Sequence, residues 1–264
     1  MKNFLLSILC LALLSLAGCA QKGQPLIPEG SASERWQTFA ARNSGAGSYD
    51  VLSGSLRFGP SEATKRVTYT LWSELPEETP EKADAPAERT IRLEIGAGIG
   101  GSVGKMRFAD GRMTLILPKE GRIYVGSSSD WNLQKLLGLS LPLGVQKLNN
   151  FLAGRLFSAL DAPRPERYET QEGGGIVYRY TTKNGHAELT LDENALPVRW
   201  KEQNGWDMEI RFDDRGLPAR LSGHIEGEAG EHRLVLLVKE RRPAGSMQAT
   251  GLHIPAGFTV YSLD

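Results

Sequence analysis

The pattern GxGxxG, which can cradle a phosphate, occupies residues 96–101, and Lys105 follows it. A phosphate site of this kind needs a strand before the glycines and a helix after them, so that the N-terminus of the helix faces the anion. Here the residues after the glycines alternate as a strand, reach Asp110-Gly111 and turn back as another strand. A Walker loop would also need glycine at Ile99 and Ser or Thr at Met106. The glycines therefore indicate the tip of a hairpin that carries Ile99, and not a nucleotide site.

Catalytic side chains are the next candidates, and their spacing favours no reaction. The histidines stand singly, without HExxH or a close carboxylate partner, at His186, His224, His232 and His253. No GxSxG elbow is present, and the carboxylates are scattered along the strands. An enzyme is therefore the least favoured class, and we expect no catalytic residue, no cofactor and no metal.

Cys19 is the residue for which the sequence indicates a covalent modification. Phe4–Leu16 is an apolar run of the length found in signal peptides, and it is too short to span a bilayer as a helix. The run ends in Leu-Ala-Gly-Cys, which resembles the processing site of a bacterial lipoprotein, so that Cys19 would be acylated and become the first mature residue. The alternative is an ordinary signal peptide with an incidental cysteine. Ala20 stands where an aspartate often marks retention at the inner membrane, and this favours the outer membrane.

Composition and charge limit the rest of the chain. We expect a signal peptide at residues 1–18, a lipid anchor and polar, proline-bearing tether at 19–30, and one domain at 31–264. The whole chain has 31 basic and 31 acidic residues, and removal of Lys2 with the signal leaves 30 and 31. This balance predicts no binding to nucleic acid. Cys10 leaves with the signal, so no disulfide is expected, and we expect a monomer.

The body of the chain is predicted to be a long antiparallel meander. Runs of period-two alternation begin with YDVLSGSLRF and TKRVTYTLW and continue to EHRLVLLVKE, giving about eleven or twelve strands. Asp110-Gly111, Asn184-Gly185 and Asn204-Gly205 each separate two of these runs, which is a strong hairpin signal. We therefore predict a mainly β (α+β) fold, an incomplete antiparallel β-barrel of about eleven strands.

Two segments have helical spacing and are the elements available to cover the sheet. The first lies near Ser33–Ser44 and places Trp36 on its apolar side. The second is divided by Pro142. Parity along the strands predicts one concave apolar face, which these helices cover above an apolar cavity. The predicted cavity residues on the strands are Leu52, Leu56, Phe58, Val67, Tyr69, Leu71, Ile91, Leu93, Phe108, Leu115 and Leu117, and those on the helices are Leu133, Leu136, Leu137, Leu148 and Leu152.

The order of these features resembles a known family. The lipoprotein cysteine, the helix with Trp36, the run of strands, LGLSLPLGVQKLNNFLAGR and the later LPVRW are together similar to the LolA/LolB family of lipoprotein-binding proteins. The resemblance implies an unclosed barrel whose cavity binds acyl chains without covalent chemistry. It also implies a receptor in the outer membrane that takes acylated lipoproteins from a LolA-like periplasmic carrier and helps to insert them into outer-membrane lipid.

The resemblance also suggests a role for Ile99. In the receptors an exposed leucine on the corresponding hairpin is thought to enter the membrane, and Ile99 falls at the matching place, with Gly98 where a proline is usual. The alternative is that Ile99 folds into the core. One departure from the family is the proline-rich, acidic insert at residues 75–88, a solvated loop or a docking element. Two other functions stay open, namely a lipid- or lipoprotein-sensing module of the envelope and a structural lipoprotein with a filled core.

Overall fold

The computed structural model describes residues 29–42, 51–74, 90–98, 100–127, 143–160, 162–182, 185–203, 205–227, 230–243 and 252–263. Its helices are α1 (Glu29–Ala41), α2 (Val145–Leu152) and α3 (Leu156–Ala159). Its strands are β1 (Val51–Pro60), β2 (Lys65–Glu74), β3 (Thr90–Ala97), β4 (Ser102–Ala109), β5 (Arg112–Leu117), β6 (Arg122–Ser127), β7 (Arg167–Thr170), β8 (Ile176–Thr182), β9 (Gly185–Leu191), β10 (Pro197–Glu202), β11 (Asp207–Phe212), β12 (Pro218–Gly227), β13 (Gly230–Arg242) and β14 (Thr259–Ser262).

The strands of the described residues form a single open sheet in the order β14-β6-β5-β4-β3-β2-β1-β13-β12-β11-β10-β9-β8-β7. Two antiparallel meanders, β1–β6 and β7–β13, join where the first strand of one pairs with the last strand of the other. The order ends at β14 on one side and at β7 on the other, so these two edges do not pair with each other. The prediction of a mainly β, incompletely closed sheet with few helices is confirmed.

Alternation predicted twelve of the strands, and the structure adds two that it did not predict. These are β7 and β14, so the expected number of about eleven strands was too low. The sheet is also not wholly antiparallel, because β14 pairs with β6 in parallel. Both additional strands are short, and nearly all of their residues are exposed. Each is an outermost strand of the sheet order, where short and exposed strands are common.

The helices agree with the predicted spacing, with shifted bounds. Helix α1 begins at Glu29, four residues before the expected start at Ser33. The second predicted segment continues after Pro142, and this later part forms two helices, α2 and α3. They are separate because Gly154 between them has a φ of 88°, in the left-handed region that ends helices. The part of the same segment that precedes Pro142, with Leu133, Leu136 and Leu137, lies outside the described residues.

The direction of the strands places the turns at two ends of the sheet. Because neighbouring strands in each meander are antiparallel, turns 61–64, 98–101 and 118–121 lie together at one end, the tip end. Turns 171–175, 192–196 and 213–217 lie at the opposite end, the helix end.

Two arginines connect α1 to the helix end. Arg35 donates from Nη1 to the carbonyl of Gly174 at 2.7 Å, and Arg42 donates from Nη2 to that of Asn194 at 2.7 Å.

Gly54 lies at the junction of the two meanders, where the β1–β13 ladder shifts register between Ser53 and Gly54. A Cβ atom at Gly54 would lie 1.8 Å from the carbonyl oxygen of Leu237 in β13. The hydroxyl of Tyr69 in β2 crosses β1 at this point and donates to the same oxygen at 3.2 Å. The close approach of β13 therefore requires glycine at position 54.

Tyr178 joins the second meander to α1. Its hydroxyl donates to the carbonyl of Ala32 at 2.8 Å, and its ring lies 4.9 Å from that of Trp36 between centroids. Burial raises the pKa of the Tyr178 hydroxyl to about 12, from an ordinary value of about 10. The protonated hydroxyl therefore stabilises the fold fully below about pH 10, and this contribution is lost as the pH rises through about 12.

We expect Tyr178→Phe to lower the free energy of unfolding by about 1 kcal/mol at pH 7, because one buried hydrogen bond is removed. The deficit relative to the parent should shrink between about pH 10 and 12, as ionisation removes the parent's advantage. Denaturant unfolding at several pH values measures both effects. Tyr168→Phe is the matched control, since Tyr168 is 40% exposed and its substitution should be neutral. A deficit that stays constant to pH 12 would contradict the assignment.

Candidate functional site

The inner face of the sheet brings the predicted cavity residues of the strands together. Ten of the eleven belong to one connected cluster of buried apolar side chains, which are Leu52, Leu56, Val67, Tyr69, Leu71, Ile91, Leu93, Phe108, Leu115 and Leu117. Phe58 is partly buried and packs against the same cluster. From the helices, Leu148 and Leu152 join it. The structure thus places these residues on a single apolar surface shared by β1–β5 and α2.

Several predicted site residues lie outside the described residues. They are Cys19, Ile99, Leu133, Leu136 and Leu137, together with the acidic insert at residues 75–88. Their predicted roles in lipidation, membrane insertion and cavity lining remain predictions.

The second meander contributes as much to the inner face as the first, which the predicted cavity list omitted. Its buried members include Tyr178, Tyr180, Leu189, Leu191, Trp200, Met208, Ile210, Leu221, Leu234 and Leu236. The same period-two alternation that identified the first set would have found them, as in the run from Ile176 to Thr182. The apolar surface is therefore continuous across the β1–β13 junction.

Helix α2 covers part of this surface, and its sequence does little to stabilise it as an isolated helix. It has eight residues, no side chain caps its N-terminus at Gly144, and it has no acidic residue in its first turn or basic residue in its last. Helices of this length are marginal in isolation, so α2 depends on packing against its surroundings. Gly154 follows it closely, and its φ of 88° changes the direction of the backbone there.

Among the described residues, Asn149 and Trp200 are buried on the inner side and have side-chain polar atoms without a hydrogen-bond partner. Asn149 in α2 is 0% exposed, and neither its Nδ2 nor its Oδ1 is bonded. Trp200 in β10 is 1% exposed, and its Nε1 has no acceptor. Buried polar groups are nearly always paired, so each of these is an exception that requires an explanation.

An aromatic cluster closes the inner face near the β7 edge. The ring of Trp36 lies 5.5 Å from Phe39 and 6.2 Å from Phe157 between centroids, and it also contacts Tyr178 and Tyr180. Beside it runs a groove of about 550 Å³, lined by Ala32, Ser33, Trp36, Gln37, Arg164, Pro165, Tyr168 and Tyr178. This volume is in the range of ligand sites. The groove lies between α1 and the free edge of the sheet.

The glycine-rich segment is a hairpin turn at the tip end, between β3 and β4. The amide of Ala97 donates to the carbonyl of Gly101 at 2.7 Å, and the amide of Gly100 donates to that of Ala97 at 3.1 Å. A Cβ atom at Gly98, Gly100 or Gly101 would meet nothing within 4 Å. The backbone on both sides of position 99 therefore stands clear of the sheet, and a strand follows the glycines where a phosphate site would need a helix.

Lys105 is engaged on the outer face and not at a phosphate. Its Nζ lies 3.4 Å from Oε1 of Glu94, which also accepts from Arg92. Burial acts to raise the pKa of Glu94, but the hydrogen bond and charge of Arg92, assisted by Lys105, hold it below its ordinary value.

Within the described ranges, no group of three or more His, Cys, Asp or Glu could hold a metal ion. None of the helices that the structure describes is both long and apolar enough to cross a membrane.

Comparison with known proteins gives a shared fold. No protein-family model and no curated protein matches the sequence. Among solved structures, a LolA-superfamily protein from Nitrosomonas europaea is similar at 14% identity and a TM-score of 0.53, with 81% of this chain and 94% of that chain covered. A DUF1329 family protein from Desulfovibrio piger has the same TM-score at 10% identity, covering 82% and 94%. A putative outer-membrane lipoprotein-sorting protein domain from Vibrio parahaemolyticus is a weaker likeness, at 12% identity, a TM-score of 0.43 and coverage of 83% and 95%.

Proposed function

We propose that this chain is a receptor, anchored in the outer membrane, which takes acylated lipoproteins from a LolA-like periplasmic carrier and helps to insert them there. Residues 1–18 act as the signal peptide, residues 19–30 as anchor and tether with acylated Cys19, and residues 31–264 as the binding domain. Acyl chains bind without covalent chemistry in an apolar cavity between the inner face and the helices. The chain acts as a monomer, without a cofactor and not as an enzyme.

The observation that carries this proposal is the apolar inner face, to which both meanders contribute. The polar residues among the buried ones are Ser55, Ser73, Asn149 and Thr190, and none of them is charged. The side chain of Arg241 is 4% exposed, and it is paired with Asp213 at the helix end. An apolar surface to which both meanders contribute suits alkyl chains, because each CH₂ group buried there contributes about 0.8 kcal/mol to the free energy of binding.

Cargo binding requires a rearrangement, because the helices cover the inner face in this structure. We assign the movement to α2, which is only eight residues long and has no side-chain cap at its N-terminus. When α2 shifts, the acyl chain takes up apolar contacts that Leu148 and Leu152 make in this structure. The exchange of one apolar contact for another is close to neutral in free energy, so cargo can both enter and leave.

The test is transfer of an acylated lipoprotein from a purified LolA-like carrier to the full chain in lipid vesicles. We expect the cargo to leave the carrier and appear in the vesicles, and a cargo whose acylated cysteine is replaced should stay in solution. The Cys19→Ala chain should accept acylated cargo but should no longer sediment with membranes in high salt.

Each outcome separates this proposal from its alternatives. Binding of acylated cargo without delivery to vesicles would indicate a sensing module instead. Failure of a folded chain to bind acylated cargo, or any acyl probe, would indicate a structural lipoprotein with a filled core. If the Cys19→Ala chain still sedimented with membranes, the assignment of the anchor would be wrong.

A further inference from the structure

Asn149 lies on the inward side of α2. Residues three and four positions apart share a helix face, so Asn149 lies beside Val145 and Leu152, both of which belong to the buried cluster on the inner face. Leu148, next in the chain, belongs to it as well. The fully buried amide of Asn149 is therefore presented to an apolar interior, and both of its polar atoms are unpaired.

A neighbouring asparagine shows what a satisfied amide looks like on the same helix. Asn150 is only half-buried, and its Oδ1 accepts a hydrogen bond from Nε of Arg155 at 3.0 Å. Asn149 has no such contact in the same segment. An apolar side chain of the same branched shape, such as leucine, would suit the position of Asn149 better if packing were its purpose. A polar residue here is best explained by a polar partner that arrives with a ligand.

We infer that Asn149 is the residue in the cavity that recognises the carbonyl group joining an acyl chain to its carrier, as an ester or an amide. This inference rests on the proposed binding of acyl chains. Nδ2 of Asn149 would donate to the carbonyl oxygen, and Nε1 of Trp200 is another unpaired donor on the inner face. Oδ1 of Asn149 is left to accept from an amide N–H. The ligand class is thus a neutral, carbonyl-linked acyl chain.

A free carboxylate fits the same interior poorly. A buried anion needs an opposite charge. Arg241, whose side chain is 4% exposed, is already paired with Asp213 and also donates to the carbonyl of Pro218. A neutral ester or amide needs a hydrogen-bond donor only, and Nδ2 of Asn149 supplies one. Asn149 therefore selects esterified or amidated acyl chains over free fatty acids.

The test uses the Cys19→Ala chain and the matched ligands dodecane, methyl dodecanoate and dodecanoate, each displacing a pyrene-labelled alkane. We expect Asn149→Leu to lower the affinity for methyl dodecanoate roughly tenfold, as loss of one buried hydrogen bond predicts. The affinity for dodecane should change by less than about twofold. At pH 7 the parent should bind dodecanoate at least about tenfold more weakly than the ester. Without ligand, Asn149→Leu should melt at a higher temperature than the parent, since an unpaired amide has been removed.

Asn150→Leu is the matched control, and it should lower the melting temperature and leave the affinities for all three ligands unchanged. The inference is overturned if Asn149→Leu keeps the parent's affinity for the ester. It is also overturned if the affinities for all three ligands change by one factor, because Asn149 would then act only through the position of α2. If the parent binds none of the three ligands, the proposed function itself fails.

Discussion

Replacement of Gly54 by alanine is expected to lower the free energy of unfolding by about 3 kcal/mol, because it forces a backbone oxygen and a methyl group apart. A Cβ at this position would lie 1.8 Å from the carbonyl oxygen of Leu237, and it would be 2.9 Å from the hydroxyl of Tyr69. Neither neighbour is the free end of a flexible side chain, since the first is backbone and the second is bonded to that same carbonyl. Relief therefore requires β1 and β13 to separate.

For a domain of this size, 3 kcal/mol corresponds to a fall of roughly 6 to 12 °C in melting temperature. Thermal and denaturant unfolding of the Cys19→Ala chain measure it. Gly101→Ala is the matched control, because a Cβ there meets nothing within 4 Å. Gly101→Ala should be neutral. Equal stabilities of the Gly54→Ala and Gly101→Ala variants would show that β13 does not approach β1 as closely as the structure has it.

The second large effect is expected at Ile99. We predict that Ile99→Glu slows release of acylated cargo into vesicles at least about tenfold and leaves folding and acyl-probe binding unchanged. Burial of the isoleucine side chain in the membrane interface would contribute roughly 2 kcal/mol, which the charged variant loses. A Cβ atom at either neighbour, Gly98 or Gly100, would meet nothing within 4 Å at the tip end.

Ile99→Leu is the conservative control for this experiment and should release cargo at the parent rate, because leucine has a similar apolar area. Two results would contradict the prediction, and they have different meanings. Unfolding of Ile99→Glu would show that the side chain belongs to the core. Normal release from a folded Ile99→Glu protein would remove membrane insertion as the purpose of this turn.

The strands that the sequence predicted are those with one buried face. In β2, for example, Val67, Tyr69 and Leu71 are buried and the residues between them are not, and such alternation is visible without a structure. The strands β7 and β14 have no buried face, so their sequences carry no periodic signal. They are strands because their backbones complete hydrogen bonds at the edges of the sheet, which a sequence pattern cannot show.

The candidate site was predictable in part. Parity assigned Leu56 to the inner face because its neighbours in the strand, Ser55 and Arg57, are polar, and Leu56 is in the cluster. Asn149 could not be identified in this way, because the adjacent Asn150 is the same residue type in the same helical segment. Only packing distinguishes the buried, unpaired amide from the one that bonds Arg155. The requirement for glycine at position 54 also arises from β13, a strand far away in the sequence.

The pairing of β1 with β13 imposes an order on folding. Within each meander every strand pairs with its sequence neighbour, so these ladders can close over connections far shorter than the one that the junction requires. The junction is different: Ser53 contacts Glu240 across 187 positions, and this loop closes late. Until then β1 is an unprotected edge with apolar residues beside it, the type of strand that binds other chains. A chain exported through the membrane from its N-terminus would carry this exposed edge until the last part of β13 had crossed. The nascent protein would then depend on holding chaperones in the compartment where it folds.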